Sequence, residues 1–89
     1  MTISREVLIA NRRGLHARAS AKFVTLATQQ PIAVHVAKGN AAVTGTSIMG
    51  LMMLGAAKGD TITISATGDE AEAVVATMCE LVEAKFGED

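Results

Sequence analysis

The chain has 89 residues, of which 49% are hydrophobic, and a formal net charge of −1. This length fits one domain, residues 1–89, and the apolar content suffices for a core without disulfides or a structural metal. The single cysteine, Cys79, excludes an intrachain disulfide, and the near-absence of aromatic residues argues against a nucleic-acid-binding surface.

The first residues and the apolar runs of the sequence predict the cellular compartment of the chain. The first residues lack the basic start and apolar segment of a secretory signal, and no apolar run approaches the length of a membrane span. Because a lone cysteine also suits a reducing compartment, we expect a cytoplasmic chain with no membrane insertion.

Charge is unevenly distributed along the chain. Residues 1–40 carry six basic side chains and one acidic one, whereas residues 41–89 carry two basic and eight acidic ones. Four of the basic residues lie within six positions of His16. A local positive field of this kind favours phosphate groups and acidic partners.

Periodicity in the first half predicts alternating strands and a helix. Apolar runs or alternation indicate strands, and Phe23, Leu26 and Ala27 share one face of a helix. The predicted elements are a strand at 7–10, a helix at 17–29, a strand at 32–36 and a returning strand at 41–44.

In the second half, a short helix at 47–54 has Ser47 as a candidate N-cap and Gly55 as its terminator. A strand follows at 61–67, and Asp69 is the predicted cap of a last helix. The apolar stripe of that helix comprises Val74, Val75, Met78, Leu81 and Val82 and extends to Lys85. The order βαββαβα predicts an α+β, two-layer open-faced β-sandwich with one sheet face covered.

The segment Gly14-Leu15-His16-Ala17-Arg18 carries the strongest chemical signal. A histidine stands where an extended segment becomes a helix, and the start of a helix presents unpaired N–H groups that can hold an anion. Imidazole is a nucleophile at neutral pH, and the guanidinium of Arg18 fits phosphate oxygens as a planar fork. The segment therefore predicts a place to carry a phosphoryl group.

This segment resembles the active-site motif of HPr, the histidine-containing phosphocarrier of the bacterial phosphoenolpyruvate-dependent phosphotransferase system. A second match at Ser47-Ile48-Met49-Gly50, followed by Leu54-Gly55 and Ala57-Lys58-Gly59, resembles the regulatory-serine segment of the same family. The resemblance covers essentially the whole chain. It implies a four-stranded antiparallel sheet with three helices on one face.

The resemblance also implies roles for individual residues. His16 would take phosphate on Nδ1, Arg18 would contact the phosphoryl group, and the amides of Ala17 and Arg18 would assist. Two departures stand out, since Ala19 replaces the proline usual in the family and Arg13 replaces a small polar residue. Without proline the first helical turn is less pre-formed, and Arg13 becomes a candidate determinant of partner choice.

Ser47 has two readings that are compatible. As an N-cap it stabilises the helix start, and by resemblance it is also the site phosphorylated by an ATP-dependent HPr kinase/phosphorylase in some bacteria. Thr46 stands where lysine is common in regulated relatives, so regulation at Ser47 remains a separate hypothesis.

The apolar residues of the second helix are too many to be buried by one short helix. We expect Ile48 and Leu51 to pack in the core, and Met49 and Met52 to be exposed as part of a partner surface.

His35 alternates with apolar residues and is expected to be solvated. The histidines and Cys79 have no metal-ligand spacing, so no metal site is predicted.

The resulting hypothesis is a monomeric phosphocarrier without a cofactor, a protein substrate rather than a turnover enzyme. Enzyme I, charged by phosphoenolpyruvate, would phosphorylate His16, which would then phosphorylate an enzyme-II A-type domain in sugar uptake or the nitrogen-related regulatory branch. A second hypothesis is a regulatory binding module of the same fold that acts on a kinase or transcription factor without transferring phosphate. A third, a ligand-binding α+β domain, lacks a glycine-rich cradle to support it.

Overall fold

A computed structural model describes residues 1–88 of the chain. Four strands and three α-helices follow each other in the predicted order, and a 3₁₀ turn that was not predicted follows the last helix. Their bounds are β1 Thr2–Leu8, α1 Ala17–Thr28, β2 His35–Lys38, β3 Ala41–Thr44, α2 Ile48–Met53, β4 Thr61–Thr67, α3 Ala71–Glu83 and the 3₁₀ turn Lys85–Gly87. No helix among these residues is both long and apolar enough to cross a membrane.

The four strands form one antiparallel sheet in the order β1-β4-β2-β3. In this register Val7 lies opposite Ile62, and Val36 lies opposite Ile64. All four side chains are buried, and residues paired directly across antiparallel strands share one face of the sheet. The alternating residues of β4, such as Thr63 and Ser65, are less buried, so a single sheet face carries the core.

The helices cover that face. α3 packs on β1 and β4, α2 packs on β3, and α1 contacts both other helices. The two phenylalanines of the chain, Phe23 in α1 and Phe86 in the C-terminal turn, are fully buried and belong to the hydrophobic core. This architecture is the predicted α+β open-faced sandwich, with four antiparallel strands and three helices.

Several predicted bounds are wrong. β1 begins at Thr2 rather than residue 7, because its polar first half pairs with β4 residue by residue. β2 occupies 35–38 rather than 32–36, since the register with β3 continues up to the turn at Gly39. α3 begins at Ala71 with Glu70 at the N-cap position and no side-chain cap, so Asp69 does not cap it.

The C-terminal segment turns sharply after α3. The helix ends at Glu83, so Lys85 does not continue its apolar stripe as predicted. Lys85 and Phe86 both have positive φ, 59° and 56°, a conformation that costs non-glycine residues free energy. The buried Phe86 ring holds this turn, which directs the following residue, Glu88, back towards the start of α1.

Candidate functional site

His16 is the N-cap residue of α1. Its backbone is extended (φ −77°, ψ −179°), and its Nδ1 accepts a hydrogen bond from the backbone N–H of Arg18 at 3.3 Å. An N-cap side chain normally accepts from the amide two or three positions on, so the imidazole takes the place of the usual serine or aspartate. The predicted helix start at Ala17 is confirmed, and the ring lies against the unpaired amides of the first turn.

The opposite ring nitrogen has a carboxylate partner. His16 Nε2 lies 2.9 Å from Oε2 of Glu88, and both side chains are about one-fifth exposed (21% and 19%). Since an ionised carboxylate can only accept and Nδ1 already accepts from Arg18, these partners specify the neutral tautomer with its proton on Nε2. Nδ1 therefore presents a lone pair to the helix start.

Glu88 is itself held by a buried amide. Asn11, which is fully buried, donates from Nδ2 to Glu88 Oε1 at 3.2 Å and to the Gly14 carbonyl at 2.8 Å. Desolvation raises the pKa of the Glu88 carboxyl, but hydrogen bonds from Asn11 and His16 and the nearby positive charge of Lys22 outweigh it and leave that pKa below its usual value. The carboxylate is thus ionised at neutral pH.

Arginines surround the ring. Arg12, Arg13, Arg18, His16 and Glu88 line an open cleft of about 290 Å³, and the three arginines are exposed. Their guanidinium groups can donate hydrogen bonds to phosphate oxygens while they remain partly solvated. The structure thus brings three predicted residues, His16, Arg18 and Arg13, together in this cleft. Ala17 lies beside them as the first residue of α1.

Ser47 caps α2 as predicted. Its Oγ accepts from the backbone N–H of Gly50 at 2.9 Å. Beyond the helix, the Ala56 carbonyl accepts from the backbone N–H of Leu15 at 2.9 Å, so the segment after α2 lies against the segment before His16. The two sequence motifs are therefore neighbours in the fold.

α2 exposes more apolar surface than predicted. Leu51 is buried, and Met49 and Met52 are exposed, as expected. The prediction for Ile48 is wrong, since 41% of its surface is exposed, and Met53 is exposed as well. We call this surface the α2 patch; its members are Ile48, Met49, Met52 and Met53.

Three residues of the site were not predicted, namely Arg12, Glu88 and Asn11. Glu88 lies 72 positions from His16, and no local pattern links them. Asn11 carries no sequence signal of its own, yet its buried amide bridges the histidine loop and the C-terminal segment. His35 is exposed on β2, as expected. Within residues 1–88, no three His, Cys, Asp or Glu side chains are grouped as metal ligands.

Comparisons with known proteins agree on one family. The family profile described as "PTS HPr component phosphorylation site" matches residues 3–84. Phosphocarrier protein HPr of Neisseria meningitidis is 48% identical over 97% of both chains, and phosphocarrier protein NPr of Shewanella violacea is 38% identical over 97% of this chain and 94% of its own. A crystal structure of HPr from Thermoanaerobacter tengcongensis superposes with a TM-score of 0.90 at 39% identity, covering 98% of each chain. The chain therefore belongs to the HPr family of phosphocarrier proteins of the phosphotransferase system.

Proposed function

We propose that this phosphocarrier accepts a phosphoryl group from enzyme I on Nδ1 of His16 and delivers it to an enzyme-II A-type domain. The observation that carries the proposal is the orientation of the ring, whose Nδ1 faces the first-turn amides of α1 within the arginine-lined cleft. Among the described residues that line the cleft, His16 is the one that offers a nucleophilic nitrogen beside backbone and arginine donors.

The geometry suits a group that must leave again. The hydrogen bond from the Arg18 amide to Nδ1 is long, 3.3 Å, so little is lost when the nitrogen forms a bond to phosphorus. The same amide can then donate to a phosphoryl oxygen, and the exposed arginines can offset the added charge. Because these arginines remain solvated, they stabilise the phosphoryl group only moderately, which favours onward transfer.

The partner surface combines the arginines with the α2 patch. Four exposed apolar side chains beside a basic cleft suit partners with an acidic rim and an apolar centre. Flexible methionines adapt to more than one partner, as a relay between a donor and an acceptor requires. Enzyme I and A-type domains are the partners proposed for this surface, in either sugar uptake or the nitrogen-related regulatory branch.

The proposal is tested by reconstituting the relay. The purified chain is mixed with enzyme I and phosphoenolpyruvate carrying labelled phosphate, and an A-type domain is then added. We expect acid-labile label on the chain that depends on enzyme I and moves to the A-type domain. If the chain takes up no label while a known HPr in the same mixture does, the non-transferring regulatory module becomes the better hypothesis.

Arg18 should contribute to transfer through its fork of donors. A charge-assisted hydrogen bond contributes about 1.5–3 kcal/mol, so Arg18→Ala should slow phosphorylation of the chain by roughly 10- to 100-fold. Arg18→Lys should recover only part of the rate, because lysine lacks bidentate geometry. Rapid-quench kinetics with enzyme I measure both rates. Arg5 is an exposed arginine on β1, and Arg5→Ala is the matched control. If Arg18→Ala and Arg5→Ala were phosphorylated at the same rate, Arg18 would have no role in the site.

Phosphorylation of Ser47 by an HPr kinase/phosphorylase should weaken docking of enzyme I without unfolding the chain. Aspartate is as good an N-cap as serine, and negative charge is favoured at a helix start, so Ser47→Asp should leave the melting temperature nearly unchanged. The new charge lies beside the α2 patch, which a partner must desolvate, so the KM for the chain in the enzyme I reaction should rise. Ser4→Asp on exposed β1 controls for charge alone, and equal KM values for the two variants would contradict regulation at Ser47.

A further inference from the structure

We propose that Glu88 is a positioning residue for phosphoryl transfer, which holds the His16 ring with its proton on Nε2 and compensates the positive charge that the ring acquires. The inference rests on the proposed function of His16. It assigns a role to the C-terminal segment, which the two sequence motifs do not include.

The first support is the pair of partners on the ring. Glu88 Oε2 lies 2.9 Å from Nε2, while the Arg18 amide donates to Nδ1. Only a ring protonated at Nε2 satisfies both contacts, so the carboxylate keeps the lone pair on the nitrogen that attacks. A carboxylate behind a histidine fixes tautomer and orientation in the same way in hydrolase triads and behind metal ligands.

The second support is the charge balance of the transfer. As the bond between Nδ1 and phosphorus forms, the bond from phosphorus to the donor breaks, and its electron pair leaves with the donor. The His16 ring becomes an imidazolium that retains its proton on Nε2. That N–H then donates to a carboxylate rather than to water, and a charge-assisted hydrogen bond is roughly twice as strong as a neutral one. Onward transfer reverses the change and leaves the ring neutral.

The third support is that Glu88 is held in place before the reaction. Phe86 is buried, and its carbonyl accepts a hydrogen bond from Lys22 Nζ at 2.7 Å, which ties the C-terminal turn to α1. Asn11 fixes the second carboxylate oxygen, Oε1. Positive φ at Lys85 and Phe86 persists only because these contacts over-determine the turn. The carboxylate is therefore preorganised, and no loop closure is needed to bring it to the ring.

The effect of Glu88 on partner docking should differ from its effect on the transfer rate. Glu88 is the only acidic side chain among the described residues that line the cleft, and its charge opposes the three arginines. If an acidic partner binds this basic surface, removal of the carboxylate should leave KM unchanged or lower it. If Glu88 positions the ring, removal of its carboxylate should instead lower the maximal transfer rate. Measurement of KM and of the maximal rate therefore separates the two effects.

The test compares Glu88→Gln with Glu80→Gln. Glutamine keeps the length of the side chain and one oxygen acceptor but removes the charge, and it places an amide donor opposite the Asn11 donor. Glu80 is an exposed glutamate on α3 that does not line the cleft. Nitrogen-15 NMR of the imidazole at a pH where the ring is neutral reports the tautomer. Rapid-quench kinetics with enzyme I report the maximal rate and the KM.

We expect the wild type and Glu80→Gln to have His16 predominantly protonated at Nε2. Glu88→Gln should lose part of this preference, and its maximal transfer rate should fall about tenfold with no increase in KM. An unchanged tautomer or an unchanged maximal rate in Glu88→Gln would overturn the proposal. The NMR measurement needs no donor protein, and failure of the proposed function would instead appear as absence of label on the wild type.

Discussion

Replacing His16 with alanine should abolish enzyme I-dependent phosphorylation of the chain while leaving it folded. The variant lacks the only ring nitrogen that faces the first-turn amides of α1 within the part of the chain that the structure describes. Loss of an N-cap acceptor costs about 0.5–2 kcal/mol, which lowers stability without unfolding a domain of ordinary stability. Label from phosphoenolpyruvate, checked for acid lability and base stability, measures the first effect, and thermal unfolding measures the second.

The chain offers a matched control in its second histidine. His35 is exposed on β2 and does not line the cleft, so His35→Ala should incorporate phosphate at the wild-type rate. Normal incorporation by His16→Ala, or its loss in His35→Ala, would show that phosphate is carried elsewhere. The pair also excludes nonspecific phosphorylation of any accessible imidazole.

Elements whose signals are local could be predicted well. β4 matches its prediction at both ends, because apolar residues alternate with threonine and serine over its whole length and one face is buried. The first half of β1 was missed because Ser4, Arg5 and Glu6 carry no hydrophobic signal. They are in a strand because β4 supplies a pairing partner, and that partner lies about 60 residues away in sequence. Tertiary pairing overrides local propensity at such positions.

The same distinction applies to the site. His16 and Arg18 could be identified because a short segment contains the nucleophile, the helix start and the fork of donors. Glu88 could not, because its position depends on the turn at Phe86 and on a buried amide of Asn11. In the sequence it is one acid in an acidic second half, where a solvated charge is the ordinary interpretation.

The error at Ile48 has a simple geometric cause. α2 has only six residues, less than two turns, so a single position can face the core fully. Leu51 takes that position with no exposed surface, and Ile48, one turn before it, lies at the rim beside the cap. Hydrophobicity alone therefore overestimates burial in a very short helix, and the surplus apolar residues form the α2 patch.

The loop before His16 depends on Gly14 for a reason that the sequence motif does not reveal. Gly14 has φ +64°, and a Cβ at this position would overlap the Ala56 carbonyl oxygen and lie 2.8 Å from the Cα of Ala57. The opposing loop cannot easily give way. Residues 56–60 of this loop are hydrogen-bonded to Ile9, the residue after β1, and to Leu15. Within the loop, the Ala57 amide donates to the Asp60 carboxylate.

The Asp60 carboxylate adds to the rigidity of that loop. It accepts from the Ala57 backbone N–H at 2.9 Å and pairs with Lys38 Nζ at 3.3 Å. The Ala57 hydrogen bond first, and then the Lys38 hydrogen bond and charge, lower the pKa of Asp60 despite opposing desolvation. A group whose pKa is depressed on folding stabilises the fold above its unfolded-state pKa and loses that contribution as pH falls through the folded-state value. The loop is therefore held most firmly at neutral pH.

Gly14→Ala should consequently destabilise the fold far more than an ordinary glycine substitution. Positive φ costs a non-glycine residue roughly 1–2 kcal/mol, and overpacking against backbone adds about 1–3 kcal/mol. For a domain of this size, the sum corresponds to a fall of roughly 10 °C or more in melting temperature. Gly39→Ala is the matched control, since Gly39 has φ +58° but nothing within 4 Å of its Cβ position, and it should show only the conformational cost. Equal melting temperatures for the two variants would mean that the Ala56–Ala57 backbone yields, and the close approach would then not explain why glycine precedes Leu15 and His16.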